Sequence, residues 1–247
     1  METDLQVGLD LNPNTITDKA AFIGANTRLR QVPLVPEISI YVADQAVPLW
    51  HKTEEEIGEH GLPPPFWAFA WAGGQALARH ILDHPEIVRG KTVLDLASGS
   101  GLVGIAAIKA GAATVTVADI DEFALAAARL NAAHNNVALT TIASDLLGGR
   151  IDMHWDAILA GDIFYERETA ARAFDFLNRN AALGATVLIG DPGRSYLPRE
   201  KLRKIADYSV PVTRDLEDTE IKQTAVWMLR DFALDDNART AAASTAL

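Results

Sequence analysis

From Thr92 onward the chain repeats one unit, a short apolar run, a turn and a stretch with helical spacing, and this repetition restricts the fold more than any other feature. Runs such as Thr114-Val115-Thr116-Val117-Ala118 contain no charged side chain and read as continuous apolar strands, expected to be covered on both sides. Strands are predicted at 92–96, 114–118, 137–143, 156–160 and 185–190, with helices at 101–110, 121–134 and 166–180. That order predicts an α/β fold, Rossmann-like, with a mostly parallel sheet and helices on both faces. Two further strands, Tyr208–Thr213 and Ala225–Arg230, flank the charged stretch Arg214–Lys222 and are expected to close the sheet as an antiparallel hairpin.

Upstream, Thr17-Asp18-Lys19-Ala20-Ala21-Phe22-Ile23 reads as a capped helix start, expected to run towards Arg30 and to end at Pro33 and Pro36. Ile38-Ser39-Ile40-Tyr41-Val42 alternates like a strand and is expected to pair as a hairpin with an extended piece around Val47–His51. Gly61-Leu62-Pro63-Pro64-Pro65 stiffens a connection, and Phe66–Asp83 reads as an aromatic entry to a helix that ends before Pro85. The expected division is an N-terminal appendage (1–60), a main domain (61–234) and a flexible Ala/Thr-rich tail (235–247).

No apolar run approaches the ~20 residues of a membrane span. Met1-Glu2-Thr3-Asp4 resembles neither a secretory nor an organelle leader, so a cytoplasmic, bacterial-like protein is expected. The 247 residues contain no cysteine, which excludes thiolate metal sites and cysteine nucleophiles. A net charge of −11 disfavours nucleic acid as a partner and favours cationic ligands or basic protein surfaces. The six histidines form no metal motif: His80 and His84 stand at i, i+4 without the glutamate of H-E-x-x-H, and no metal is expected. No G-x-S-x-G nucleophile pattern occurs.

Val93-Leu94-Asp95-Leu96 runs into Ala97-Ser98-Gly99-Ser100-Gly101-Leu102-Val103-Gly104, a strand, a glycine turn and a helix start. The glycines fit the dinucleotide pattern G-x-G-x-x-G, a weak signal whose physical sense is close backbone approach at a helix N-terminus. Asp95 would place negative charge beside a pyrophosphate, with no basic residue between it and Gly104 in compensation. S-adenosylmethionine carries a sulfonium, an ammonium and a carboxylate but no phosphate, and suits that loop better. Asp119, 24 residues beyond Asp95, ends the next strand and can accept both ribose hydroxyls; Asp145 ends the third and can receive the adenine amine. Helix capping is the competing reading for each, and for Asp121 it is preferred.

The segments PFWAFAWAGGQALARHIL (65–82), GKTVLDLASGSG (90–101), ADIDEFAL (118–125), GDIFYE (161–166) and LIGDPGR (188–194) resemble class I methyltransferases in order and spacing. More narrowly, across roughly residues 60–230, they resemble the protein lysine methyltransferases that act on the β-subunit of electron transfer flavoprotein. The departure is Ala97, where the usual motif has its first glycine, and a modest adjustment is expected there. The family's mitochondrial members carry a targeting segment that is not seen here. The resemblance implies a seven-stranded sheet of order 3-2-1-4-5-7-6 and a cofactor site of Trp71, Gly74, Asp95, Ala97, Ser98, Gly99, Gly101, Asp119, Ile120, Asp145, Leu146 and Gly161. Trp71 and the Gly73-Gly74 pair are expected to close over the methionine end of the cofactor, with plain aromatic packing as the alternative.

The resemblance also implies a D-x-x-Y motif at Asp162 and Tyr165, whose acid and aromatic position the acceptor. Because the strand ending at Ala160 should neighbour the first strand, residues just after it face the cofactor's methyl group. Methyl transfer needs a neutral amine held in line. Asp162 can hold the incoming cation and orient the amine, and Tyr165, helped by Trp67 or Phe164, can offer it an aromatic face. The alternative is that Asp162 caps a helix. Asn/Asp-Pro-Pro-Tyr, the usual motif for planar amides and bases, is absent because Ile163 and Phe164 stand in the middle. By the same resemblance Gly190-Asp191-Pro192-Gly193-Arg194 borders the substrate channel, with Asp191 and Arg194 as substrate residues; a tight Pro-Gly turn is the other reading. The expectation is an S-adenosylmethionine-dependent protein lysine N-methyltransferase, a monomer acting on electron transfer flavoprotein β-subunit without binding nucleic acid or membrane. Methylation of another protein, such as a ribosomal protein, an NAD(P)-dependent oxidoreductase and a non-catalytic S-adenosylmethionine-binding protein remain alternatives.

Overall fold

The computed structural model describes residues 19–43, 65–149, 153–212 and 220–230. The chain order is α1 (Lys19–Asn26), β1 (Arg28–Val32), β2 (Val35–Val42), α2 (Ala72–Asp83), β3 (Thr92–Leu96), α3 (Leu102–Lys109), β4 (Thr114–Asp119), α4 (Glu122–His134), β5 (Thr140–Ala143), β6 (Ala157–Gly161), α5 (Arg167–Ala182), β7 (Thr186–Asp191), β8 (Leu202–Pro211) and β9 (Ile221–Leu229).

Seven strands form one sheet in the order β5-β4-β3-β6-β7-β9-β8, which is the expected order with strands renumbered. β5 to β7 pair in parallel, and β9 runs antiparallel to both β7 and β8. Successive residues of each central strand enter opposite cores. Val93, Val115, Val117, Leu159 and Leu188 pack with α2, α3 and α4 residues such as Leu77, Val103 and Leu125. Leu94, Leu96, Ile158, Ala160, Val187 and Ile189 pack with Ala173, Phe176 and Leu177 of α5. Chain direction across the sheet reverses between β3 and β6, the topological switch point where α/β sheets bind ligands beyond their C-terminal strand ends. Among the described residues no helix is long and apolar enough to cross a membrane.

The N-terminal region differs from expectation. α1 stops at Asn26, where Asn26 Nδ2 donates to the Phe22 carbonyl and Thr27 Oγ1 to that of Ile23, satisfying the helix end. Arg28–Val32 is then a strand, and Pro33-Leu34 forms its hairpin turn to β2 instead of terminating a helix. The polar exterior of β1, buried only at Val32, hid its extended character. The expected partner, Val47–His51, lies outside the described residues, as does the 235–247 tail. β5 starts at Thr140 rather than 137, and β8 and β9 are longer than expected.

Val32, Val35, Ile38 and Ile40 share a core with Ala78, Leu102, Ile105, Ala106 and Ala132. The outer edge of β2 is occupied by α4 side chains: Tyr41 N–H donates to Asn131 Oδ1 at 2.8 Å, and Ser39 exchanges two bonds with Asn135. Asn131 is fully buried and its Nδ2 also donates to the Ser100 carbonyl at 2.8 Å, so one amide joins the hairpin to the glycine loop. Asn131→Ala leaves both backbone groups without that partner and is expected to cost about 2 kcal/mol in urea unfolding.

Candidate functional site

Three turns at the C-terminal ends of β3, β4 and β6 surround the switch point. After β3, Ala97, Gly99 and Gly101 all adopt positive φ (53°, 50° and 75°), and Gly101 is the N-cap of α3. Ala97 fills the expected adjustment by adopting the left-handed conformation, which costs an L-residue about 1 kcal/mol. Gly99 N–H donates to Asp119 Oδ2 at 2.9 Å, and Asp119 Oδ1 accepts from Asp121 N–H at 3.0 Å, so the acid at the end of β4 sits against the glycine loop. Ser98 Oγ is buried and has no hydrogen-bond partner, and Ile120 beyond Asp119 is 76% exposed.

Asp95 is only 1% exposed and its Oδ2 accepts from Gly104 N–H at 2.8 Å, tying β3 to the first turn of α3. Burial pushes its carboxyl up to about 8 despite that bond, with Asp119 adding to the rise. At neutral pH this group is mostly protonated. It braces the loop from beneath, and burial weakens the charge that it would set beside a pyrophosphate.

Asp121 caps α4 through Phe123 N–H. Asp145 also caps: Oδ1 accepts from Leu147 N–H at the Leu146–Gly148 turn, and Oδ2 pairs with Arg172. The geometry thus shows for Asp145 the cap that the sequence reading ranked second. Leu146 is buried in the core beneath β6.

The segment after β6 separates inward from outward residues. Ile163 and Phe164 are 2% and 0% exposed and belong to the core, while Tyr165 is 51% exposed. Phe164 therefore presents no surface to a substrate, contrary to expectation. Trp67, the other expected aromatic helper, is 3% exposed and stacks on Phe123 with centroids 6.2 Å apart, again in the core. Phe66 takes that place instead: its ring lies 5.4 Å from Tyr165 and 6.0 Å from Trp71. The cap of α5 is Glu166, which accepts from Glu168 and Thr169 N–H, so Asp162 does not cap the helix that follows it.

Asp162 has φ +55° and is fixed from three directions. Its N–H donates to the Gly190 carbonyl at 2.9 Å. Its Oδ2 accepts from Gly74 N–H at 2.9 Å at the start of α2, and its Oδ1 accepts from Arg194 Nε and Nη2 at 3.1 and 2.8 Å. The helix start reaches the acid because glycines face one another: a Cβ on Gly73 would overlap the Gly190 carbonyl and the Asp162 carboxylate, and one on Gly161 would lie 3.0 Å from Gly74 Cα. Asp191, one residue beyond Gly190, is 1% exposed; its Oδ1 accepts from Gly193 and Arg194 N–H at 2.6 and 2.7 Å, and its Oδ2 is buried with no hydrogen-bond partner. Burial, reinforced by the nearby Asp162, pushes Asp191 up to about 6.

The Asp162–Arg194 pair and the role of Gly190 were missed in the sequence. The signal was there: Gly161-Asp162 and Gly190-Asp191 end two strands, and in the sheet Gly161 is paired with Gly190. Away from this site, buried His80 is hydrogen-bonded to Tyr208 at 3.0 Å, and no group of acidic or histidine side chains among the described residues is arranged to hold a metal.

The family described as ribosomal protein L11 methyltransferase (PrmA) matches residues 77–171. Electron transfer flavoprotein β-subunit lysine methyltransferase from Xenopus laevis is 38% identical over 212 residues, covering 84% of this chain and 85% of that protein. Among solved structures, ribosomal protein L11 methylase from Lactobacillus delbrueckii subsp. bulgaricus aligns with TM-score 0.50 at 20% identity over 83% of this chain and 99% of its own. SMU.776 complexed with SAH aligns with TM-score 0.53 at 12% identity, covering 83% of this chain and 56% of that one. The two structures share the fold.

Two measurements probe the loop. Asp95 keeps its proton in the folded protein to about pH 8, whereas unfolded it ionises near 3.8. Below 3.8 both states are protonated and there is no penalty; as pH rises towards 8 only the unfolded state releases its proton, and folded stability falls. Asp95→Asn keeps an acceptor for Gly104 and lacks this term, so its stability relative to the native protein should grow from pH 4 to 8 and then level off in urea unfolding series. Ala97→Gly should raise stability by about 1 kcal/mol by relieving the positive φ, read as an increased urea midpoint.

Proposed function

The chain belongs to the electron transfer flavoprotein β-subunit lysine methyltransferase family, and on that premise we propose that Asp162 and Tyr165 receive a lysine of electron transfer flavoprotein β-subunit for N-methylation. The observation that carries this reading is the pairing of a fixed carboxylate with an exposed aromatic at i and i+3, their intervening side chains buried. S-adenosylmethionine, when bound, supplies the electrophilic methyl group.

The glycine loop fits such a cofactor. Ser98 has an orphaned hydroxyl there, Gly99 and Gly101 leave the backbone open, Asp119 lies against the loop, and exposed Ile120 offers an apolar surface at the end of β4. We assign Ser98, Gly99, Gly101, Asp119 and Ile120 to holding the nucleoside and amino-acid parts, with Trp71, Gly74 and Gly161 at the methionine end. Asp95 and Ala97 support the loop from behind, and Leu146 shapes the wall beneath. Asp145 serves the adenine end through the turn it caps.

Asp162 accepts a hydrogen bond from the acceptor nitrogen and holds it in line; Tyr165 and Phe66 flank the lysine stem and its cationic head. Asp162 acts by position, not as a general base. A net charge of −11 suits a basic protein substrate, and we read the enzyme as a cytoplasmic monomer that binds neither nucleic acid nor membrane.

Incubation with isotopically labelled S-adenosylmethionine and the flavoprotein β-subunit should label lysine; label found only on glutamine, or only on nucleic acid, rejects the substrate. Asp162→Ala should lower transfer by at least about 100-fold, with cofactor affinity within a few-fold by calorimetry. Surviving activity would return Asp162 to a purely architectural role.

A further inference from the structure

Asp162 is paired before any substrate arrives. Arg194 approaches its Oδ1 with two nitrogens, and the side chains are only 20% and 11% exposed, so solvent screens the pair weakly. The guanidinium is itself held in place. Its Cζ lies 5.5 Å from the Trp71 ring centroid, and its backbone N–H donates to Asp191 Oδ1. This is a built arrangement rather than a surface ion pair, since an aromatic face, a helix N–H and two acids from neighbouring strand ends converge on it.

The chemistry explains why a cation belongs there. Lysine enters as an ammonium, but transfer needs its lone pair. An unneutralised carboxylate within about 4–6 Å would hold the proton on that nitrogen, raising its pKa by about 1–3 units. With a guanidinium on the carboxylate most of that effect is cancelled, while the carboxylate still accepts a hydrogen bond from the amine. We propose that Arg194 is a positioning residue for methyl transfer, neutralising and orienting Asp162 so that the acceptor nitrogen meets a hydrogen-bond acceptor of little net charge and releases its proton to water. This role rests on the lysine reading above.

The charged and titratable groups facing Asp162 include Arg194 and Asp191 from the segment after β7, with Tyr165 three residues on in its own turn; the first turn of α2, packed against it through Gly74, contains no acidic side chain. Burial and the nearby Asp162 push Asp191 up to about 6.

The test compares the native enzyme with Arg194→Gln and Arg194→Lys, using electron transfer flavoprotein β-subunit as substrate. In calorimetry at pH 7 without cofactor, Arg194→Gln should bind the substrate several-fold more tightly, because a bare carboxylate now pairs with the ammonium. The rising limb of kcat against pH should move up by about one unit in Arg194→Gln and return in Arg194→Lys. Thermal melting checks that each variant is folded, and Arg194→Met is measured in the same way if the Gln variant is not. Weaker substrate binding, an unmoved limb, or a Gln variant faster than native at pH 7 overturns the role of Arg194 alone. A native enzyme that methylates no lysine overturns the function reading and this role with it.

Discussion

The site depends on a contact between backbones. The start of α2 lies directly on the ends of β6 and β7 because Gly73 and Gly74 meet Gly161 and Gly190 with no Cβ between them. A side chain on Gly73 or Gly190 would occupy space already filled by a carbonyl oxygen, which no rotamer change relieves. That approach lets a helix N–H reach Asp162, and the Gly190 carbonyl holds the Asp162 backbone in its left-handed conformation. A non-glycine residue with positive φ costs about 1–3 kcal/mol, and here the surrounding bonds over-determine it at the place where chemistry is assigned. Asp162 is therefore aimed by the fold, with no need for a bound ligand to order it.

The strand ends also share a charge problem. Asp95, Asp119, Asp162 and Asp191 all lie at or just beyond the C-terminal ends of parallel strands, and the chain as a whole is acidic. The structure resolves this group by group. Asp95 is buried so deeply that it keeps its proton, Asp191 is pushed in the same direction, Asp119 is met by backbone N–H groups, and Asp162 receives a guanidinium. Their field on a cationic sulfonium and an ammonium is consequently much smaller than the count of acids suggests. Asp95 carries less charge than its sequence position implies, because burial pushes its carboxyl up to about 8.

The parallel α/β sheet was legible because its signal is local, continuous apolar runs with helices between them leaving few topologies, whereas the strand order, which the structure has, was implied by the family resemblance. Asp121 was legible as a cap for the same reason. The hairpin was not, since Arg28-Leu29-Arg30-Gln31-Val32 has almost no buried face and the outer edge of its partner β2 is held by Asn131 and Asn135, about 90 residues away. Trp67 and Phe164 misled for a related reason. An aromatic near a motif reads as a ligand contact, yet here both rings are core, and which of Phe66 and Trp67 faces outward depends on the short turn between Phe66 and Ala68. Arg194 was visible as a channel residue, but its pairing with an acid 32 positions earlier required the register of β6 against β7.

That register also bears on which acceptor the site prefers. A motif for planar amides needs an acceptor carbonyl and a flat slot for an NH₂ group. Here Ile163 and Phe164 are drawn into the core beneath β6, and the backbone carbonyl of Phe164 is taken by Tyr196 N–H. What the turn offers instead is a largely buried carboxylate already balanced by a guanidinium and an aromatic ring half exposed beside Phe66. A planar amide gains less here, because the two prolines that shape a flat slot for its NH₂ are replaced by Ile163 and Phe164. A flexible amine gains more: its hydrogen-bond geometry is tolerant, its alkyl stem can lie along the rings, and a methylated cation keeps its attraction to an aromatic face after its hydrogen-bond donors are replaced by methyl groups.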